Sequence, residues 1–216
     1  MSVRLHLGCG DIVLPDWINI DVKSNPGVDR VLDVREGLPF HDVDFIFAEH
    51  FLEHFELTDA LKLLRDCRSA LSDEGVLRLT TPNLDWVWSF MYQSRWKGAE
   101  RNTAIVDADA WPQDSTAARD CLWLNRSFRG WGHKFLYNAA MLEEVLHRAG
   151  FAIVEWCEYG ASRHDALRGL EQHEQYADIP AVRHLLIAEA SGRGPERRDE
   201  NIEALVQEYL HDVTLS

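Results

Sequence analysis

The chain has 216 residues, 46% hydrophobic and 27% charged, which fits one folded domain and leaves too little length for two ordinary ones. Its net charge of −14 argues against non-specific binding to nucleic acid or acidic membranes, although a local basic patch can still hold an anion. Four scattered cysteines, Cys9, Cys67, Cys121 and Cys157, offer no disulfide framework or zinc knuckle, and no apolar run suggests a membrane span or a secretory signal, so a cytoplasmic enzyme or binding protein is expected.

Short apolar runs alternate with helical patterns. Residues 4–8 (RLHLG), 17–22 (WINIDV), 30–34 (RVLDV) and 44–49 (DFIFAE) read as strands, rich in Val, Ile, Leu and Phe and bounded by Gly, Pro or Asp. Residues 57–71 (LTDALKLLRDCRSAL) carry helical spacing with Thr58 as N-cap, and residues 75–81 (GVLRLTT) give a fifth strand. The stretch 84–132 breaks the rhythm and is tryptophan-rich. It reads as an insertion that packs its indoles into the core, caps a pocket, or does both. Residues 138–149 (NAAMLEEVLHRA) predict a helix stopped at Gly150, followed by strands at 151–156 (FAIVEW) and 184–190 (HLLIAEA). The tail, 199–213, places Ile202, Leu205, Val206, Tyr209 and Leu210 on one helical face, for packing on the domain or for a dimer contact; monomer and homodimer both remain open.

Strands alternating with helices imply an α/β fold with a mainly parallel sheet. Two connections are short for parallel crossovers, 11–16 and 23–28, so either they are loops or a strand is misplaced.

The Gly8-Cys9-Gly10 turn after the first strand lets backbone approach a ligand, and Asp21 at the end of the second can accept from ribose hydroxyls. The dinucleotide fingerprint is not met. Its third glycine is missing, the acid arrives too early, and Pro15 discourages the helix that would hold a pyrophosphate. Cys9 reads as a small packing residue.

LHLGCG, INID, DVREGLPF, FAEHFLEHF, LSDEGVLRLTTPN and GHKFLYNAAMLEEVLHRAGF, in this order, resemble a class I S-adenosylmethionine-dependent methyltransferase. The set is similar to small bacterial predicted methyltransferases with an L-x-L-G-C-G…W-x-N-x-D opening, over about residues 3–83 and 131–190. The resemblance implies a Rossmann-like, seven-stranded, mostly parallel sheet with helices on both faces, and the aromatic-rich insertion as a cap. It implies that Gly8, Cys9 and Gly10 lie against the methionine half of the cofactor. Asp21 would hold the ribose, Asp33 the adenine amino group with Val34 and Arg35 beside the ring, and Glu49 and His50 would border the methyl end. His6 departs from the pattern, since many members carry an acid there. Taken singly, each of these residues also suits an ordinary turn or strand end; their joint order carries the reading.

His50, Glu53 and His54 stand at i, i+3 and i+4, which on a helix is one face. That spacing fits three chemistries: an inverted zinc-protease motif, a divalent-cation site, or acid–base work beside the methyl group. Hydrogen bonding to helix ends and cap is the plain structural alternative. The segment 126–134 is the most basic stretch, and Arg126, Arg129, Trp131 and Lys134 are candidate contacts to an acceptor, anionic or not. His133 is ranked first as base, His54 second and His50 third, with no metal assigned. The expected activity is methyl transfer to the oxygen or nitrogen of a small polar acceptor, a sugar or natural-product intermediate. The alternatives are a same-fold protein that binds the cofactor without methylating and a metal-dependent hydrolase built on His50, Glu53 and His54.

Overall fold

A computed structural model describes residues 2–89, 116–173, 182–195 and 200–214. Seven strands, β1 (Arg4–Leu7), β2 (Ile18–Asp21), β3 (Arg30–Val31), β4 (Val43–Glu49), β5 (Leu71–Pro82), β6 (Phe151–Trp156) and β7 (Leu185–Arg193), form one sheet. Their order is β3-β2-β1-β4-β5-β7-β6. Pairings from β3 through β5 are parallel, and β7 runs antiparallel to both β5 and β6. All seven strands expected from the apolar runs are present, in the mainly parallel sheet the alternation implied.

Among the described residues four helices accompany them: α1 (Leu57–Ala70), α2 (Thr116–Arg129), α3 (Ala139–Arg148) and α4 (Glu200–Thr214), with residues 84–89 also helical. Alternation along the strands sorts the core. Leu5, Leu7, Ile46, Ala48, Leu77 and Leu79 pack with Leu63, Leu64, Leu142, Leu146 and Val206, so α1, α3 and α4 share one face. Each such leucine or isoleucine, wholly buried, contributes about 1.5–3 kcal/mol. The second face pairs Phe47 and Val76 with Leu14, Trp17 and Leu167. The helical cover expected there is, among the described residues, a single 3-10 turn, Asp165–Leu167, together with loop chain. Among the described residues no helix is long and apolar enough to cross a membrane.

α3 starts and ends where its sequence signals stand. The Asn138 side chain accepts from the Met141 amide at 2.9 Å, and Gly150, at φ 94°, lets its amide reach the His147 carbonyl at 3.0 Å. α1 corrects the other expected cap. Its N-cap is Glu56, without a side-chain hydrogen bond, and Thr58 lies inside the first turn. Leu57 must already be helical to reach the core, where it is buried, and this draws the helix start ahead of the hydroxyl. In α4, Val206 is buried in the main core and the Tyr209 ring lies 5.9 Å from Phe135, so this part of the stripe packs on the domain. The side chains of Ile202 and Leu205, and residues 90–115 of the cap with Trp96 and Trp111, lie outside the described residues.

Both short crossovers are loops, and the strands are correctly placed. The first is held by Asn19, 2% exposed, on β2. Its side-chain oxygen accepts from the Leu14 amide at 2.9 Å and lies 3.1 Å from His6 Nδ1; its NH2 donates to the carbonyls of Leu14 and Trp17 and to Asp29. One buried amide thus satisfies backbone groups that a helix would have satisfied internally. Leu14 and Trp17 can then drop onto the sheet without a helical turn between Gly10 and β2.

Candidate functional site

The C-terminal ends of β1, β2 and β4, with the chain just after β3, open onto a cavity of about 500 Å³, the crevice where open α/β sheets bind ligands. Gly8, Gly10, Asp21, Asp33, Val34 and His50 line it, as do Arg35, Phe51, Trp131 and Lys134. The two glycines serve differently. A Cβ on Gly8 would lie 2.1 Å from the Phe51 ring, so that glycine lets Phe51 close down on the turn. Gly10, at φ 54°, has nothing within 4 Å of that position, so any side chain there would project into open space at the turn, in a backbone conformation glycine tolerates best. Cys9 between them is buried, and burial raises its thiol to about 11, which suits packing and not reactivity.

Asp21 ties the floor together. Its Oδ2 accepts from the Gly10 amide and its Oδ1 from the Lys23 amide, both at 2.9 Å. Asp33 caps the 3-10 turn Val34–Glu36 through the Arg35 amide and pairs with the Arg35 guanidinium at 2.5 Å, which holds its carboxyl down at about 2. Val34 is buried at the cavity edge. His6 lines neither this cavity nor its neighbour. It is 3% exposed and engaged by Asn19, and burial holds its imidazole below the usual value. The place where an acid was expected is therefore a structural post for the crossover.

Glu49 also turns inward. Its carboxylate accepts from the Gln172 and His173 amides at 3.0–3.2 Å and meets His173 Nδ1 at 3.0 Å. Burial alone would raise this carboxyl; the hydrogen bonds from the His173 ring and the two amides outweigh it and hold it below its ordinary value. His173 is raised in turn, chiefly by its bond to Glu49. The segment 157–173 is fixed again by Arg78, fully buried on β5, which donates to Glu171 at 2.7 Å and to Glu189 at 2.6 Å. Tyr159 donates its hydroxyl to the carbonyl of His173 at 3.0 Å. His173 thus faces the ends of the strands, with its ring 4.5 Å from that of His50.

A second cavity, about 340 Å³, adjoins the first. Five histidines line it, His50, His54, His133, His173 and His184, together with Trp86, Val87 and Trp131. The two cavities share His50, His54 and Trp131. Sequence reasoning missed His173 and His184, which arrive from distant segments without a local motif. Trp86 serves the core reading of the insertion, being 2% exposed, whereas Trp131 serves the pocket reading, being 64% exposed.

The spacing argument for His50, Glu53 and His54 needs correction. These residues do not share a helix face, because Leu52–His54 is one 3-10 turn and His50 precedes it at φ 47°. His50 Nδ1 lies 3.2 Å from Glu53 Oε1, and Thr81 donates its hydroxyl to Glu53 Oε2 at 3.0 Å. Among the described residues His50 Nε2 is buried without a partner. His54 turns instead toward His133, ring centroids 5.2 Å apart. Glu53, His54 and His133 bring one ligand atom each within 4.8 Å of one another.

The basic stretch is dispersed. Arg126 stacks on Trp131 with its guanidinium carbon 4.5 Å from the ring, and Lys134 lines the glycine-turn cavity, 3.8 Å from Glu56. Arg129 lines neither cavity. Of the four candidate acceptor contacts, Trp131 alone borders the histidine-lined space.

The model of a family described as a methyltransferase domain matches residues 4–156. Among solved structures, a SAM-dependent methyltransferase from Archaeoglobus fulgidus superposes with a TM-score of 0.51 at 14% identity, over 88% of this chain and 85% of that one. The apo S-adenosylmethionine-dependent methyltransferase SibL gives 0.50 at 14% identity, over 89% of this chain and 50% of its own length. At such identities these likenesses bear on the fold. No curated protein matches the chain by sequence.

Proposed function

Because the chain belongs to the methyltransferase-domain family, we propose that it moves a methyl group from S-adenosylmethionine in the glycine-turn cavity to a small hydroxylated acceptor in the histidine-lined one. The observation that carries this reading is the shared wall. His50, His54 and Trp131 border both spaces, so a donor in one and an acceptor in the other meet across them.

When bound, the sulfonium cofactor supplies an electrophilic methyl group. Gly10 would leave room for it beside Gly8, on which Phe51 is seated; Asp21 would accept from its ribose hydroxyls, and Asp33, Val34 and Arg35 would border the adenine end. Phe51 and Trp131 border the junction and would cover a bound donor there. Of the three imidazoles considered from sequence, His50 is the one that, among the described residues, is hydrogen-bonded to a carboxylate, and it borders both cavities. The buried Glu53 carboxylate fixes the proton on Nδ1, which leaves Nε2 to accept. His50 Nε2 would take up the proton of the acceptor hydroxyl, while the bound cofactor would supply the methyl group that replaces it. Imidazoles, not guanidinium groups, supply the polar lining of the acceptor space among the described residues, which favours an uncharged sugar or natural-product hydroxyl over an anion.

The test is product formation. S-adenosylmethionine and S-adenosylhomocysteine should bind and NADH should not, and a panel of hydroxylated acceptors should yield S-adenosylhomocysteine and methylated product by mass spectrometry. His50→Gln should lower turnover by about 10²–10⁴-fold. Binding without product across the panel would favour the non-methylating reading of the same fold; no binding of either sulfur compound would defeat the assignment.

A further inference from the structure

We propose that Glu53, His54 and His133 form a binding site for a divalent transition-metal cation at the junction of the two cavities. Sequence spacing suggested a different trio, and the fold replaces it. The 3-10 turn commits His50 to one oxygen of Glu53 and sends His54 toward His133, whose residue number is remote. The three donor groups then lie within 4.8 Å of one another, close enough to share one ion.

Four further observations point to a ligand. Glu53 is 0% exposed, and among the described residues no lysine or arginine pairs with it; its partners are His50 and the Thr81 hydroxyl. A carboxylate so deeply buried calls for a compensating positive charge. His133 Nδ1 lies 2.9 Å from the Ser127 carbonyl, which requires the proton on that nitrogen and leaves Nε2 bare, the orientation metal-binding histidines commonly have. The backbone that delivers His133 is unusual. Trp131 holds φ 56° and Gly132 φ 85°, so two successive left-handed residues, the second a glycine next to the His54 ring, turn the chain to bring His133 beside His54. Finally, His54 and His133 both line the acceptor cavity, so an ion held by three protein ligands would keep open positions for an acceptor oxygen.

Two imidazoles and one carboxylate select the class of ion. Mg²⁺ and Ca²⁺ favour all-oxygen shells, whereas Zn²⁺, Co²⁺ and Fe²⁺ accept nitrogen readily. Such an ion would hold the acceptor hydroxyl and ease its deprotonation, which deepens the methyl-transfer reading; the site itself can be tested without turnover.

The experiment is titration of chelator-treated protein with Zn²⁺ by calorimetry and with Co²⁺ by visible absorption, beside Mg²⁺. One equivalent should bind, with Co²⁺ bands of a four- or five-coordinate nitrogen-containing site. His54→Ala and His133→Ala should each weaken binding by at least about tenfold. Both residues are partly exposed, unlike the buried Glu53, so these variants should fold, and circular dichroism checks this. S-adenosylhomocysteine binding is measured in the same samples. His133 does not line the glycine-turn cavity, so His133→Ala should keep it, which separates loss of the metal site from failure of the methyltransferase reading. No bound cation, binding unchanged in both histidine variants, or tighter Mg²⁺ than Zn²⁺ would each overturn the proposal.

Discussion

Replacing Asp21 by asparagine keeps the side chain's shape and removes half of its capacity to accept. Both carboxylate oxygens already receive main-chain amides, Gly10 on one and Lys23 on the other, each at 2.9 Å. An asparagine has one accepting oxygen for two N–H groups, so its NH2 must face a donor and one hydrogen bond to a charged acceptor disappears. The negative charge available to ribose hydroxyls goes with it. A hydrogen bond to a charged group contributes about 1.5–3 kcal/mol, which corresponds to roughly 10- to 150-fold in Kd. Titration calorimetry of Asp21→Asn with S-adenosylhomocysteine should therefore show a Kd raised within that range, with urea unfolding still cooperative. A folded variant that binds within about twofold of the parent would refute the ribose role and leave Asp21 as a brace for the turn.

Two more expectations follow from the segment 157–173. Arg78→Met leaves Glu171 and Glu189 facing each other in the core without their guanidinium, and should cost about 3–5 kcal/mol in urea unfolding. A loss under about 1 kcal/mol would mean that the carboxylates find other partners. The Glu49–His173 pair should stabilise the fold over a limited pH range. His173 has a raised value, so its contribution is whole below the ordinary 6.5 and fades as pH rises through the raised value; Glu49 has a lowered value, so its contribution is whole above the ordinary 4.5 and fades as pH falls through the lowered one. His173→Gln should thus destabilise most near about pH 5.5 and least near about pH 8.5, measured by urea unfolding at each pH. An equal effect at both would remove the ion pair from the account.

The strands and α3 were legible because apolar runs, Asn138 and Gly150 act locally. That the glycine turn and Asp21 border one cavity was legible as well, since strand ends in a parallel sheet gather on one side. What escaped the sequence is whatever depends on register between remote segments. Asn19 stood inside an apolar strand as an unexplained amide, and its partners in the crossover become visible only once β1 and β2 pair. The i, i+3, i+4 pattern at His50 misled because it presupposes a full helical turn, and the chain has a single 3-10 turn there. His173 had no motif at all; Glu49, read as a cofactor neighbour, turned out to be what holds it.

The clasp formed by Arg78, Glu171 and Glu189 bears on how this protein can be re-engineered. The wall that presents His173 to the histidine-lined cavity hangs from a guanidinium planted in the central sheet. A donor segment grafted in place of 157–173 to change acceptor preference would have to bring a carboxylate to the same spot, or strand an arginine in the core. Exchange of this wall is therefore constrained from below, by a charge that no ligand ever meets.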